Sequence, residues 1–161
     1  MLEAAWFNPI PIGSKARFFG KHTESSHRFE RGVDSALQVA AMERATALVI
    51  SICGGQAGPV VLQESSQNLP RLPKIKLQHA NVSKLLGVEI DFPIIEDILI
   101  RLGVNQLSKD NLISVWEPPS WRTDLKLEQD LIEEIARIFG YNNIPASAST
   151  AALVIESDTE T

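Results

Sequence analysis

Apolar residues recur at helical spacing in the first half of the chain. Steps of three and four separate Leu37, Ala41, Ala45, Leu48 and Ile52. Asp34 suits the N-cap of a helix, and Gly54 interrupts the pattern after its last apolar position. The spacing predicts an amphipathic helix over residues 35–53.

The segments on either side of this helix have weaker patterns. We predict a short helix over residues 13–19 and a surface loop over residues 20–32. Turn-forming residues from Gly54 to Pro73 surround one short predicted strand at residues 60–62. This density of turn formers predicts a domain boundary near Pro70.

The second half predicts a strand, two helices, a hairpin and a third helix. The strand covers residues 75–78, and the first two helices end at Gly87 and Gly103. Residues 109–111 suit the hairpin turn, and the last helix ends at Gly140. This order predicts an α+β fold of winged-helix-like architecture.

Composition narrows the class of protein. At 161 residues, 44% of them apolar, the chain is long enough for one ordinary folded domain or two small ones, which excludes a large multidomain enzyme. Its formal net charge is -5. Electrostatic binding of nucleic acid by the whole chain is not supported. A local contact is still open, because residues 15–31 contain five basic groups and two acidic ones.

Two features of the sequence, the single cysteine and the absence of a long apolar run, indicate where in the cell the protein is expected. Cys53 excludes an internal disulfide framework, and we expect it to be inert packing at the end of a helix. No apolar run approaches the roughly 20 residues that span a bilayer. We therefore expect a cytoplasmic protein with no membrane partner.

Two clusters could carry chemistry. The acidic residues at the start of the last helix are Asp124, Glu128, Asp130, Glu133 and Glu134. Carboxylates grouped in this way suit Mg²⁺, although acids in a first helical turn can also face water and complement the helix dipole, which we favour from the residues alone. The polar stretch 21–34 either lines a pocket or is an ordinary connection.

Three long motifs resemble one known family. They are residues 22–34, residues 41–46 with the following Gly54 and Gly55, and residues 119–141, which read PSWR through DLIEEIARIFGY. In this order and register they resemble the bacterial phenylalanyl-tRNA synthetase beta subunits. Members of that family are several times longer, so the resemblance implies an internal piece of such a subunit.

The resemblance implies three regions with different roles. Residues 1–70 correspond to the C-terminal part of the tRNA editing domain, which hydrolyses mischarged Tyr-tRNA, and Thr23 and Ser25 correspond to its pocket wall. Residues 71–146 correspond to a small metal-binding module. Residues 147–161 are expected to be a flexible linker. Because the rest of the editing pocket lies outside this sequence, we expect no editing by the chain alone.

The resemblance also implies a metal and partners. It places a Mg²⁺ site, shared with the alpha subunit, on Asp124, Asp130, Glu133 and Glu134. The family attaches phenylalanine to tRNA-Phe with ATP in an alpha2-beta2 assembly, and the alpha subunit carries that site. We therefore expect no ATP binding by this chain.

Two other interpretations of the sequence are open. The helix, helix and hairpin order also suits a winged-helix module that binds nucleic acid or protein. DNA binding is not favoured, because the second helix of that module has one basic residue, Arg101, and three acidic ones, Asp91, Glu96 and Asp97. A helix that reads a DNA groove presents Lys, Arg, Asn or Gln. The chain could also be a stand-alone folded protein without activity.

Overall fold

The computed structural model describes residues 1–146, so the predicted linker at 147–161 lies outside the described residues. The chain is α+β, as predicted: helices combine with one three-stranded antiparallel sheet. The helices are α1 (Pro9–Phe18), α2 (Glu24–Arg31), α3 (Gln38–Cys53), α4 (His79–Leu86), α5 (Phe92–Arg101) and α6 (Glu128–Phe139). The strands are β1 (Ile75–Gln78), β2 (Asn105–Lys109) and β3 (Ile113–Glu117).

The N-terminal helices differ from the prediction in three places. The helix α1 begins at Pro9, before the predicted start at residue 13. The predicted loop over residues 20–32 contains α2, which begins at a capping box: Thr23 Oγ1 accepts from the Ser26 backbone N–H at 3.1 Å, and Ser26 Oγ accepts from that of Thr23 at 2.9 Å. Reciprocal caps satisfy two backbone donors that a helix start leaves open. Asp34 caps a turn instead of α3, so α3 begins at Gln38, later than predicted.

The helix α3 forms from its predicted apolar spacing but buries none of its residues. Leu37, Leu48 and Ile52, which belong to the predicted apolar stripe, are exposed. Cys53 is also exposed, so its predicted packing role is wrong. The predicted strand at residues 60–62 is absent from the described chain, since those residues have no strand partner.

The second half follows the predicted order of elements. Its strands are arranged β1-β3-β2, with Ile75 opposite Trp116 and Leu77 opposite Ser114. A bulge interrupts the β2 and β3 pairing after Gln106. The hairpin turn is held by the Asp110 carboxylate, which accepts the backbone N–H groups of residues 112 and 113 at 2.8 and 2.7 Å.

One face of this sheet and the helices α4, α5 and α6 enclose the core. Of the fifteen apolar residues that are buried within residues 1–146, Ala16 alone precedes residue 75. The core side chains that are fully buried include Leu77, Leu99, Trp116 and Leu131. The segment 118–127 connects the sheet to α6 and contains Asp124, the first residue of the predicted acidic cluster.

Candidate functional site

The segment before α6 is tied to that helix through Arg122. Its guanidinium donates to both carboxylate oxygens of Asp124, at 2.7 to 3.2 Å, and to Glu134 Oε1 at 2.9 Å. Asp124 is exposed, whereas the Arg122 side chain is 22% exposed and that of Glu134 is 11% exposed. Two of the four predicted metal ligands are therefore joined by a basic side chain from the same segment.

Glu134 has a second basic partner on its own helix. Arg137, one turn later, donates to Glu134 Oε2, so both carboxylate oxygens accept from an arginine. The Arg122 hydrogen bond, followed by that of Arg137, lowers the pKa of Glu134 against the effect of its burial. Arg122 likewise lowers the pKa of Asp124, and both carboxylates raise the pKa of Arg122.

The other two predicted ligands point elsewhere. Asp130 Oδ2 accepts the backbone N–H groups of Lys126 and Leu127, each at 2.7 Å, and so caps the start of α6. Glu133 is exposed. Within residues 1–146, no three His, Cys, Asp or Glu side chains come together as a group that could hold a metal ion.

Mg²⁺ does not fit the carboxylates as they are arranged. An octahedral Mg²⁺ ion needs oxygen atoms that converge at about 2.0–2.1 Å and that are free to donate electron pairs to it. Here Asp124 and Glu134 accept from arginine, and Asp130 accepts from the backbone. As they are arranged in this chain alone, these carboxylates therefore do not form a Mg²⁺ site.

Glu128, which the sequence suggested only as a helix-start acid, connects α6 to the start of α4. Its two oxygens accept from the backbone N–H of Gln78 at 2.7 Å and from Asn81 Nδ2 at 3.0 Å. The Gln78 N–H lies immediately before α4, where a helix leaves donors without partners. This contact fixes α6 against the sheet over a separation of 50 residues.

The two predicted pocket residues lie at the start of α2. A groove of about 440 Å³ between α1 and α2 is lined by apolar Phe7, Phe19 and Phe29, and by polar Thr23 and Ser26. Thr23 lines this groove, and its assignment to the wall of an editing pocket stays a prediction from the resemblance. Ser25 is exposed and is not among the lining residues.

Ser26 and Arg122 are the site residues that sequence reasoning missed. Ser26 could have been found from its spacing of three after Thr23, which is the spacing of a capping box. Arg122 is the last residue of the PSWR motif at residues 119–122, but no local sequence pattern indicates that its side chain contacts Glu134, twelve residues later. Such a contact depends on how segment 118–127 folds back over α6.

Replacing Glu134 with glutamine should lower the free energy of unfolding at neutral pH by about 1–2 kcal/mol, because two charge-assisted hydrogen bonds are weakened. A carboxylate with a lowered pKa stabilises the fold above its ordinary pKa of 4.5 and loses that contribution as pH falls through its folded value. The natural chain should therefore lose stability below about pH 4.5, and E134Q should lose less over the same range.

Urea unfolding at several pH values measures this difference, with Asp97→Asn as the control. Asp97 pairs with Arg101 on an exposed face of α5, so its loss should change stability by about 0.5 kcal/mol or less. Identical pH profiles for E134Q and the natural chain would contradict the role assigned to Glu134. Part of the acid sensitivity should persist in E134Q, since Asp124 also has a lowered pKa.

Comparisons with known proteins identify two domain families and close relatives. The tRNA synthetase B5 domain family matches residues 75–141, and the B3/4 domain family matches residues 1–54. The chain is 49% identical to the phenylalanine–tRNA ligase beta subunit of Pectobacterium atrosepticum, over 99% of this chain and 20% of that protein. It is 51% identical to that of Aliivibrio fischeri, over 95% of this chain and 19% of that protein.

Proposed function

Because the chain belongs to the family of phenylalanine–tRNA ligase beta subunits, we propose that it supplies the end of an editing domain and a complete B5 module to such a subunit. It spans about a fifth of the length of the curated relatives that it matches. The activity of the whole enzyme, ATP-dependent attachment of phenylalanine to tRNA-Phe, is therefore proposed for the assembly and not for this chain alone.

One observation carries this division of roles. Residues 75–141, which match the B5 domain, contain fourteen of the fifteen buried apolar residues in the described part of the chain, whereas residues 1–54 contain only Ala16. A folded domain needs its own apolar core. The B5 part therefore has the core of an independent module, and the B3/4 part has the exposed apolar surface of a piece that packs against more protein.

The role proposed for the module is structural support of an alpha subunit that carries the aminoacylation site. ATP binding by this chain is not supported by its glycine-rich stretch, because Gly54 and Gly55 follow α3, whereas phosphate-binding loops precede a helix. Whether Asp124, Asp130, Glu133 and Glu134 share Mg²⁺ with that subunit stays a prediction from the resemblance. The cytoplasmic location also stays a prediction.

The helix α5 does not favour the winged-helix DNA-binding alternative. Its basic residue, Arg101, pairs with Asp97 at 3.3 Å, and Glu96 on the same helix pairs with Lys109 at 2.9 Å. A helix that reads a DNA groove presents donors such as Arg, Lys, Asn or Gln to the bases. An acidic helix whose arginine already has a carboxylate partner is poorly suited to that task.

The groove between α1 and α2 supports a role in editing as one wall of a larger pocket. Its phenylalanine side chains suit an aromatic amino acid. Ser26 Oγ donates to the backbone oxygens of Lys21 and Thr23, whereas Thr23 Oγ1 accepts from the Ser26 N–H and keeps its proton for the phenolic oxygen that distinguishes tyrosine from phenylalanine. A complete pocket buries most of its ligand. This groove is open, so we propose that the chain alone does not deacylate Tyr-tRNA.

The surface around the same groove suits contact with tRNA. Exposed basic residues on α1, α2 and their connection are Lys15, Arg17, Lys21, Arg28 and Arg31. None of them forms an ion pair within the described part of the chain. Basic groups without carboxylate partners favour phosphate contacts, in contrast to the acidic character of the whole chain.

A chimera tests the proposed function. This sequence replaces the aligned stretch of the Pectobacterium atrosepticum beta subunit, which is then assembled with the alpha subunit of that organism. We expect phenylalanylation within about tenfold of the unmodified enzyme, a loss of about 1.4 kcal/mol or less. Deacylation of Tyr-tRNA should also be retained by the chimera and be absent from the isolated chain.

Partial chimeras assign any loss to one unit. Exchange of residues 1–54 alone should affect editing more than aminoacylation, and exchange of residues 75–141 alone should affect assembly first. A full chimera that folds and assembles but lacks both activities would contradict the proposal. Deacylation by the isolated chain would contradict the inference that its pocket is incomplete.

A further inference from the structure

One nitrogen of Arg122 lies between two carboxylates that the resemblance assigned to a metal ion. Arg122 Nη2 is 2.7 Å from Asp124 Oδ2 and 2.9 Å from Glu134 Oε1. The neighbouring Nε donates to both oxygens of Asp124 at 3.0 and 3.2 Å. A cation that bridged these two carboxylates would have to take the place of this nitrogen.

The charges around this point already balance. The two carboxylates, Asp124 and Glu134, face the two guanidinium groups of Arg122 and Arg137. Adding a divalent cation would therefore place two positive charges in a neutral group whose acceptor oxygens are in use. Removing Arg122 would leave two carboxylates and one guanidinium, and the net negative charge of this group would favour a cation.

We infer that Arg122 is the counter-ion that joins Asp124 to Glu134 in this chain, and that Mg²⁺ reaches these carboxylates only when Arg122 is displaced. The fork of a guanidinium suits this position, because it can donate to two carboxylates at once and is less strongly hydrated than a compact cation. Mg²⁺ gives up its water ligands reluctantly and would gain few free oxygen atoms here. The inference does not depend on the proposed function.

Titration of the 161-residue chain with MgCl₂, followed by backbone amide NMR shifts of residues 122–137, tests the inference. The natural chain should show no saturable shift at millimolar Mg²⁺ beyond that caused by NaCl of equal ionic strength. Arg122→Met should show a saturable shift, with an apparent affinity about tenfold or more above the weakest affinity that the titration of the natural chain can detect, the equivalent of one hydrogen bond to a charged group.

Two further variants keep the test decisive. Arg122→Lys retains the positive charge without the two-pronged guanidinium, so it should bind Mg²⁺ more tightly than the natural chain and more weakly than R122M. This lysine variant also serves as the test if R122M fails to fold. Arg101→Met removes an exposed arginine of α5 that lies outside this group, and it should behave as the natural chain. Saturable Mg²⁺ binding by the natural chain, or none by either Arg122 variant, would overturn the inference.

Discussion

Replacing Trp116 with alanine is expected to lower the free energy of unfolding by about 3–5 kcal/mol, because a large aromatic side chain leaves a cavity in a closed core. Trp116 is fully buried on β3, where it lies opposite Ile75 of β1 and Gln106 of β2. Its indole Nε1 donates to Ser114 Oγ at 2.8 Å, so the substitution also removes a buried hydrogen bond.

Urea unfolding monitored by circular dichroism measures this loss, with Trp121→Ala as the matched control. Trp121 is 61% exposed, so its replacement should cost about 1 kcal/mol or less. Ser114 Oγ is also 3.2 Å from His79 Nε2, and it therefore keeps one polar neighbour in the Trp116 variant. Equal losses for the two tryptophan variants would contradict the central position of Trp116 in the core.

Hydrogen exchange is expected to separate the chain into two parts. Backbone amides of β1, β3 and α6 should exchange at least about a thousandfold more slowly than those of α3, because their opening requires disruption of the core. Leu77, Leu131 and Ile135 are fully buried in the first group, whereas no residue of α3 is buried. A hydrogen-bonded helix without packing is only marginally stable in water.

Exchange monitored by mass spectrometry of peptides at low protein concentration measures this contrast. A series of protein concentrations serves as the control, because self-association through the exposed apolar face of α3 would raise its protection with concentration. Slow exchange of α3, equal to that of α6 and independent of concentration, would contradict the inference that residues 1–54 lack a core of their own.

Helices and strands in the second half could be predicted because each segment carries a local pattern that suits its own structure. The strand β1 alternates buried and exposed side chains over residues 75–78, and Gly87 ends α4 at a left-handed backbone conformation with φ of 68°. In α5, Ile95, Ile98 and Leu99 are buried at helical spacing, whereas Ile94 of the same apolar run is 45% exposed.

Local patterns predicted less in the first half. The helix α2 has almost no apolar stripe, so its sequence predicts a loop. Its start depends on the reciprocal cap of Thr23 and Ser26. The apolar run at residues 60–62 predicts a strand, but a strand forms only when a neighbour pairs with it. Propensity describes what a segment can form, and pairing decides whether it does.

The sequence by itself determined the order of elements in the second half, the α+β class and, through three long motifs, the family. Each of these depends on short-range spacing or on the residues themselves. Only the tertiary structure decided which side chains meet: Arg122 reaches Glu134 across twelve residues, and Glu128 reaches Gln78 across 50. Contacts at such separations depend on chain reversal and packing, which bring together groups that no local pattern connects.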